Sequence, residues 1–259
     1  MDINQHNSQA WDQKVSDQSV YTLAVSAEEV AKARKGEWQI GVTAGKPVPR
    51  EWFPPELFNK KILCLASGGG QQAPILAAAG AEVTVVDISE KQLEQDRFVA
   101  KRDRLSFEIV QGSMTDLSQF ADESFDIVVH PVANLFVADI KIVWQEIARV
   151  LKTQGILIAG FTNPLLYIFD EVAEEKGELV VKNVIPGNSL DWLPENQRTD
   201  YLASGQTIEF AHTLEDQIQG QLAAGFVLTD FYEDDFGGSR PLDKYIKCFA
   251  ATRAVKLSI

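Results

Sequence analysis

The order of elements predicts an α/β fold: a doubly wound, seven-stranded, mostly parallel sheet with an antiparallel last strand. Three observations carry this. Apolar runs of strand length alternate with stretches of helical periodicity from residue 61 onward. The first strand runs into a glycine cluster, and the second ends in an acid. The last two strand-like runs are separated by only about ten residues, too few for a helical crossover, so the final strand must turn back on its neighbour.

The elements follow in order. The run "KILCLA" is continuously apolar, as a central parallel strand should be. After "SGGGQQ" comes a helix over residues 72–79, with Gly80 placed to end it. "EVTVVD" is the second strand. "SEKQLEQDRFVAKR" is the second helix, opened by a capping pair, Ser89 and Gln92. "SFEIVQG" and "FDIVVH" are the third and fourth strands. Residues 139–152 form an amphipathic helix, with Ile140, Val143, Trp144, Ile147 and Leu151 at helical spacing. "GILIAGF" is the fifth strand. Residues 162–212 form a mixed insertion with one strand-like piece, "ELVVKNV". A helix follows over residues 214–224, with Thr213 as its N-cap. "FVLTDFYE" and "KYIKCFAATRA" close the chain.

Residues 1–59 differ in kind. They hold three of the five tryptophans, a capping box at Ser26 and Glu29, and a proline-rich exit, "KPVPREWFPPE". They form a helical, aromatic preface to a main domain over residues 60–259. Trp11, Trp38, Trp52 and Phe53 are either packed against that domain or part of a lid over its site.

Composition narrows the function. The net charge of −13 disfavours nucleic acid and anionic membrane surfaces as partners. No apolar run reaches transmembrane length, and the start lacks the basic and apolar regions of a secretory signal. Two cysteines, Cys64 and Cys248, both in apolar runs, make no disulfide framework, and a cytoplasmic setting is expected. No spacing of histidine, cysteine and carboxylate resembles a metal site.

Ligands of open parallel sheets bind beyond the carboxyl ends of the strands. Strand one offers Ala66, Ser67, Gly68, Gly70, Gln71 and Gln72, where glycines let a ligand approach the backbone. Strand two offers Asp87 and Ile88, the acid suited to accept from both ribose hydroxyls. Strand three offers Gly112, Ser113 and Met114, and strand four His130 and Asn134. Glycines plus the strand-two acid point to an adenosine-containing ligand.

This series resembles the class I S-adenosylmethionine-dependent methyltransferases, in the group of methyltransferase domains described as type 11. The family's acid-x-Gly-x-Gly-x-Gly stretch aligns with residues 64–70, its ribose acid with Asp87 in "VVDIS", and its adenine-side motif with Gly112, Ser113 and Met114. "DESFDIVV" and "EIARVLKTQGILIAG" also fit. Cys64 stands where the family has an acid, Ala66 where it has a glycine, and Ser113 where an acid is common. The preface resembles a bacterial subgroup. The resemblance implies a Rossmann-like methyltransferase fold, S-adenosylmethionine as cofactor, and methyl transfer by in-line displacement to a small-molecule acceptor. His130 and His212 are candidates for a base, and Trp52, Asn134, Asn163 and Tyr167 for the acceptor pocket or its lid. Glu233, Asp234, Asp235 and Asp243 would give the site an acidic rim. A non-catalytic cofactor-binding protein and a nicotinamide-dependent oxidoreductase are the alternatives. The "GSMTDL" and "DESFDIVV" segments and the antiparallel last strand speak against the second.

Overall fold

The computed structural model describes residues 1–258. The preface begins with helix α1 (Ile3–Ser16), whose N-cap Asp2 accepts from the Gln5 amide. Helix α2 (Ala27–Ala33) carries the expected capping box, with Ser26 and Glu29 bonded reciprocally. The main domain then runs through β1 (Lys61–Leu65), α3 (Gln72–Ala78), β2 (Glu82–Asp87), α4 (Glu90–Asp103), β3 (Glu108–Gln111) and β4 (Phe125–His130). It continues with α5 (Ile140–Val150) and β5 (Leu151–Thr162). The insertion holds α6 (Glu171–Glu175), β6 (Gly187–Asn188), α7 (Glu195–Ala203) and β7 (Phe210–Ala211). A π-helical turn (Glu215–Gln219) leads into α8 (Gly220–Ala223), and β8 (Phe226–Asp234) and β9 (Phe249–Lys256) close the chain.

The seven-stranded sheet has the order β3-β2-β1-β4-β5-β9-β8. Strands β1 to β5 pair in parallel. Strand β9 inserts between β5 and β8, antiparallel to both. The chain winds outward from β1 through β2 to β3, then returns to the other side of β1 with β4. Strand order therefore reverses between β1 and β4, and a crevice opens above their carboxyl ends.

Two apolar layers cover the sheet because successive strand residues face opposite sides. Ile62, Cys64, Val83, Val85, Ile127 and Val129 face α3, α4 and the preface. Leu63, Leu65, Val86, Val128 and Leu157 face α5, which presents Ile140, Val143, Trp144 and Ile147. Each such fully buried side chain contributes about 1.5–3 kcal/mol relative to exposure. Trp144 also explains the π-helical turn. Its indole donates to the Asp216 carbonyl at 3.1 Å, and a Cβ at Gly220 would lie 2.5 Å from its ring.

The structure departs from expectation in four places. "ELVVKNV" is not a strand: only an isolated bridge, Phe169 to Val181, survives. Its Val181 and Val184 are exposed, so no sheet face buries them. The last strand begins at Phe249 rather than near residue 244, because residues Pro241–Lys244 close into a 3₁₀ turn. Strand β5 begins earlier than expected, at Leu151, directly where α5 ends. The helix expected over residues 214–224 opens as the π-helical turn and keeps α-helical form only at Gly220–Ala223.

Candidate active site

The turn after β1 is shaped by positive backbone angles. Gly69 and Gly70 lie at φ +103° and +67°. Ala66 lies at φ +48°, a left-handed conformation that costs an L-residue roughly 1–2 kcal/mol. A Cβ on Gly68 would meet the Gln92 Cβ at 2.7 Å and the Asp87 side chain at 3.0 Å. Glycine there lets the turn lie against the strand-two acid.

Asp87 is buried at the end of β2. Its Oδ2 accepts from the Gly68 amide and its Oδ1 from the Ser89 amide, both at 2.9 Å. Each oxygen keeps a further lone pair for a hydroxyl donor. Burial pushes this carboxyl up to about 6, against the pull of those amides.

Behind the turn stands a second acid that sequence reasoning missed. Asp96, on the inward face of α4, accepts from the Gly69 amide through Oδ2 at 3.1 Å. Burial pushes it up to about 8, and the charge of Asp87 adds to the effect. Its Oδ1 and the Gln92 Oε1, one helical turn away, are buried acceptors without partners. A proton retained on Asp96 gives that region the donor it lacks. The available signal was the i, i+4 spacing of Gln92 and Asp96 on a helix facing the glycine turn.

A cavity of about 550 Å³ opens above the turn. Ala66, Ser67, Gly68, Gln71 and Gln72 line it from β1, Asp87 and Ile88 from β2, and Gly112, Ser113 and Met114 from β3. Gly70 does not. It turns toward the preface, its carbonyl accepting from the Val25 amide at 3.0 Å. The two glutamines also face the preface. Gln71 donates to the Tyr21 and Leu23 carbonyls, and Gln72 to the Gly41 carbonyl. Ser67 in turn donates to Gln72. These elements form a cradle that fits S-adenosylmethionine: an open backbone turn, a carboxylate with free lone pairs, and apolar walls at Ile88 and Met114.

Neither histidine lines the cavity. His130 is fully buried beneath it. Its Nδ1 lies 3.0 Å from the Leu65 carbonyl and its Nε2 2.8 Å from the Asn134 amide group, which reaches on to Gln217. Burial holds the ring below its ordinary range, so it is a neutral crosslink between β1, β4 and the π-helical turn. His212 donates through Nε2 to the Asn134 and Val137 carbonyls, and burial again favours the neutral ring. Asn134 is consumed in this network. Asn163 caps the turn after β5, accepting from the Leu165 amide. Trp52 is buried against Tyr232, with its indole donating to Asp230. Trp38 packs edge-on against Phe53.

The expected acidic rim is engaged elsewhere. Asp234 accepts from Thr43, Gly45 and Lys46 of the preface. Asp235 pairs with Lys247, and Asp243 accepts from the amides of Phe236, Gly238 and Arg240. None of the four lines the cavity.

The far wall comes instead from α1 and the insertion. Trp11 lines it, edge-on to Phe136 at 5.3 Å. Tyr167, the one predicted acceptor-side residue that faces the cavity, stacks on Trp192 and donates to Glu209 at 3.3 Å. Arg240 stands at the same wall, bonded through two nitrogens to Glu174. Helix α1 is held over the site by polar bonds. Ser8 donates to the Ile88 carbonyl, Asp12 accepts from Ser89 and Lys91, and Asn7 bonds Phe136 and Ile208. Among the described residues no cluster of histidine, cysteine and carboxylate could hold a metal ion, and no helix is long and apolar enough to cross a membrane.

Comparison with known proteins places the chain in a family. Residues 63–159 match the family model of a methyltransferase domain. An uncharacterized methyltransferase, YbaJ of Bacillus subtilis, is 53% identical over 97% of this chain and 98% of its own length. A demethylmenaquinone methyltransferase of Clavibacter sepedonicus is 40% identical over 41% of this chain and 43% of its own. Among solved structures, an S-adenosylmethionine-dependent methyltransferase from Listeria monocytogenes superposes with a TM-score of 0.59. It covers 81% of this chain and 96% of its own at 20% identity, a likeness of fold.

Proposed function

The chain belongs to the S-adenosylmethionine-dependent methyltransferases, and we propose that it methylates a small molecule held between the glycine turn and the wall built by α1 and the insertion. The observation that carries this reading is the cavity itself. One wall offers a glycine turn and a buried carboxylate, and the other offers aromatic rings with a few polar groups. Pockets of this size and mixed lining suit small ligands.

When bound, S-adenosylmethionine would supply an activated methyl carbon, open to attack by a lone pair on the acceptor with the thioether sulfur as leaving group. The protein's part is to bind, align and exclude water. Asp87 would accept the ribose hydroxyls, the backbone of Ala66, Ser67 and Gly68 would hold the cofactor at the glycine turn, and Ile88, Gly112, Ser113 and Met114 would receive the adenine. Gln71 and Gln72 act indirectly, by tying the turn to the preface. His130 and His212 have no path to the reacting atoms and serve as packing crosslinks. Asn134, Asn163 and Trp52 likewise support the walls.

Helix α1 is a lid in this reading. Only Asn7 and Ala10 on it are fully buried, and polar bonds fasten it. Such a helix can lift and return without exposing a large apolar face. The two buried, unpaired thiols suit a cytoplasmic setting.

Calorimetric titration with S-adenosylmethionine, S-adenosylhomocysteine and NAD tests the cofactor assignment. Micromolar binding of the first two, without NAD binding, is expected. Transfer of a labelled methyl group to a compound in a fractionated small-molecule extract tests the rest. Label found only in nucleic acid or protein would refute the acceptor class.

A further inference from the structure

Glu209 is the carboxylate on the far wall, held only by two long side-chain hydrogen bonds. It sits just before β7 in the insertion and lines the cavity. Its Oε2 accepts from the Tyr167 hydroxyl at 3.3 Å, and its Oε1 from Thr207 at 3.3 Å. Both contacts are long and leave each carboxylate oxygen a free lone pair. Contrast two acids nearby, neither of which lines the cavity. Glu174 is locked to Arg240 through two bonds, and Asp12 is spent on Ser89 and Lys91. Glu209 also cannot be explained as packing. It keeps a charge-bearing group at a wall where Phe136, Leu166, Phe236 and Phe249 stand beside the polar Lys14, Thr207 and Arg240, and a buried carboxylate without a firm partner there is costly.

The groups facing Glu209 set its character. Burial pushes its carboxyl above the ordinary range, with Glu171 adding to the push. Lys14 on α1, Thr207 and Tyr167 pull it back. Lys14 lines the same cavity without forming an ion pair to it. A carboxylate raised toward neutrality and facing a ligand site has the properties of a general base.

We propose that Glu209, oriented by Tyr167, accepts the proton of the methyl acceptor, whose nucleophile is therefore an O–H or N–H group on a largely apolar body. This rests on the methyl-transfer reading above. In the step, the acceptor's lone pair forms the bond to the methyl carbon. The carbon–sulfur bond breaks with its electron pair going to sulfur, leaving a neutral thioether. The acceptor's proton passes to the Glu209 carboxylate. Glu209 is the catalytic residue, and Tyr167 is a positioning residue.

The test uses full-length protein saturated with S-adenosylhomocysteine and three probes of nearly equal shape: p-cresol, p-toluidine and p-xylene. Ligand-observed NMR gives their affinities. Wild type should bind p-cresol and p-toluidine at least tenfold more tightly than p-xylene. Glu209→Leu should abolish that preference. Tyr167→Phe should weaken p-cresol binding several-fold while leaving p-xylene binding unchanged. S-adenosylhomocysteine affinity should stay within twofold in both variants. Equal affinity for p-cresol and p-xylene, no binding of any probe, or an unchanged preference in Glu209→Leu would each overturn the proposal. Failure of wild type to bind S-adenosylhomocysteine at all would instead remove the methyl-transfer reading beneath it.

Discussion

The two walls of the cavity are built by different means. The cofactor-side wall comes from the ends of β1, β2 and β3, which are neighbours in the sheet. It is held by backbone geometry: positive φ at Ala66, Gly69 and Gly70, and amides of the turn pointing at buried acids. The opposite wall joins α1 to the insertion by side-chain bonds that span up to 201 residues, such as Asn7 to Ile208. One wall carries left-handed backbone, and the other is fastened by side-chain polar contacts. Fixed geometry suits a cofactor that is always the same. A separately assembled wall is where an acceptor preference can be set.

Four substitutions probe that contrast, in descending order of expected effect. Gly160 in β5 lies under the preface, and a Cβ there would come within 2.0 Å of the Val42 carbonyl oxygen. Gly160→Ala should cost about 3 kcal/mol or more, read by denaturant unfolding, and should detach the preface. Retained cofactor affinity in that variant would show that the cofactor wall stands without the preface. Wild-type stability would mean that the two are not packed as described.

Asp87→Asn should weaken S-adenosylhomocysteine binding roughly 10- to 100-fold, from loss of hydrogen bonds to a charged acceptor. The pH dependence has opposite signs for binding and folding. The folded carboxyl sits at about 6 against an ordinary 3.8. Its contribution to stability is therefore complete below about pH 4 and is lost as pH rises through 6. Cofactor affinity, which needs the ionised form, should instead fall as pH drops below 6. Asp87→Asn, which does not titrate, should accordingly flatten the fall in melting temperature that wild type shows between about pH 4 and 7. An unchanged pH profile of melting in that variant would contradict this.

Arg240→Ala leaves Glu174 buried without its partner. A loss of about 2 kcal/mol is expected. Hydrogen exchange should show it concentrated in residues 164–203 and absent from β1 to β4. Ala66→Gly removes the left-handed strain but frees the unfolded chain, so a net gain below about 1 kcal/mol is expected. Thermal melting measures it, and a net loss would mean that Ala66 is not strained.

The cofactor wall was legible in the sequence because its determinants are local. A turn needs glycines within a few residues, and the acid falls at the end of the next strand, so the positions of Gly68 and Asp87 beside the cavity could be found by counting. Asp96 was not legible, because which face of α4 meets the turn is settled only by packing. The acceptor wall was read poorly for the same reason. His130 ends β4, as a catalytic residue would, and Asn134 opens the turn that follows, yet their side chains turn inward to each other. Trp52 is aromatic and in the preface, yet it is Trp11 that faces the cavity.

The sequence by itself determined the alternation of strand and helix, the antiparallel last strand and the glycine turn with its acid. Hydrophobic periodicity and turn chemistry act over a few residues and are written in them. Only the tertiary structure decided which polar residues face the ligand. Burial sorts His130, His212 and Asn134 into closed hydrogen-bond networks, and leaves Glu209 beside Tyr167 with lone pairs to spare. That sorting depends on contacts between segments far apart in the chain, where residue type and spacing carry no record of the partner.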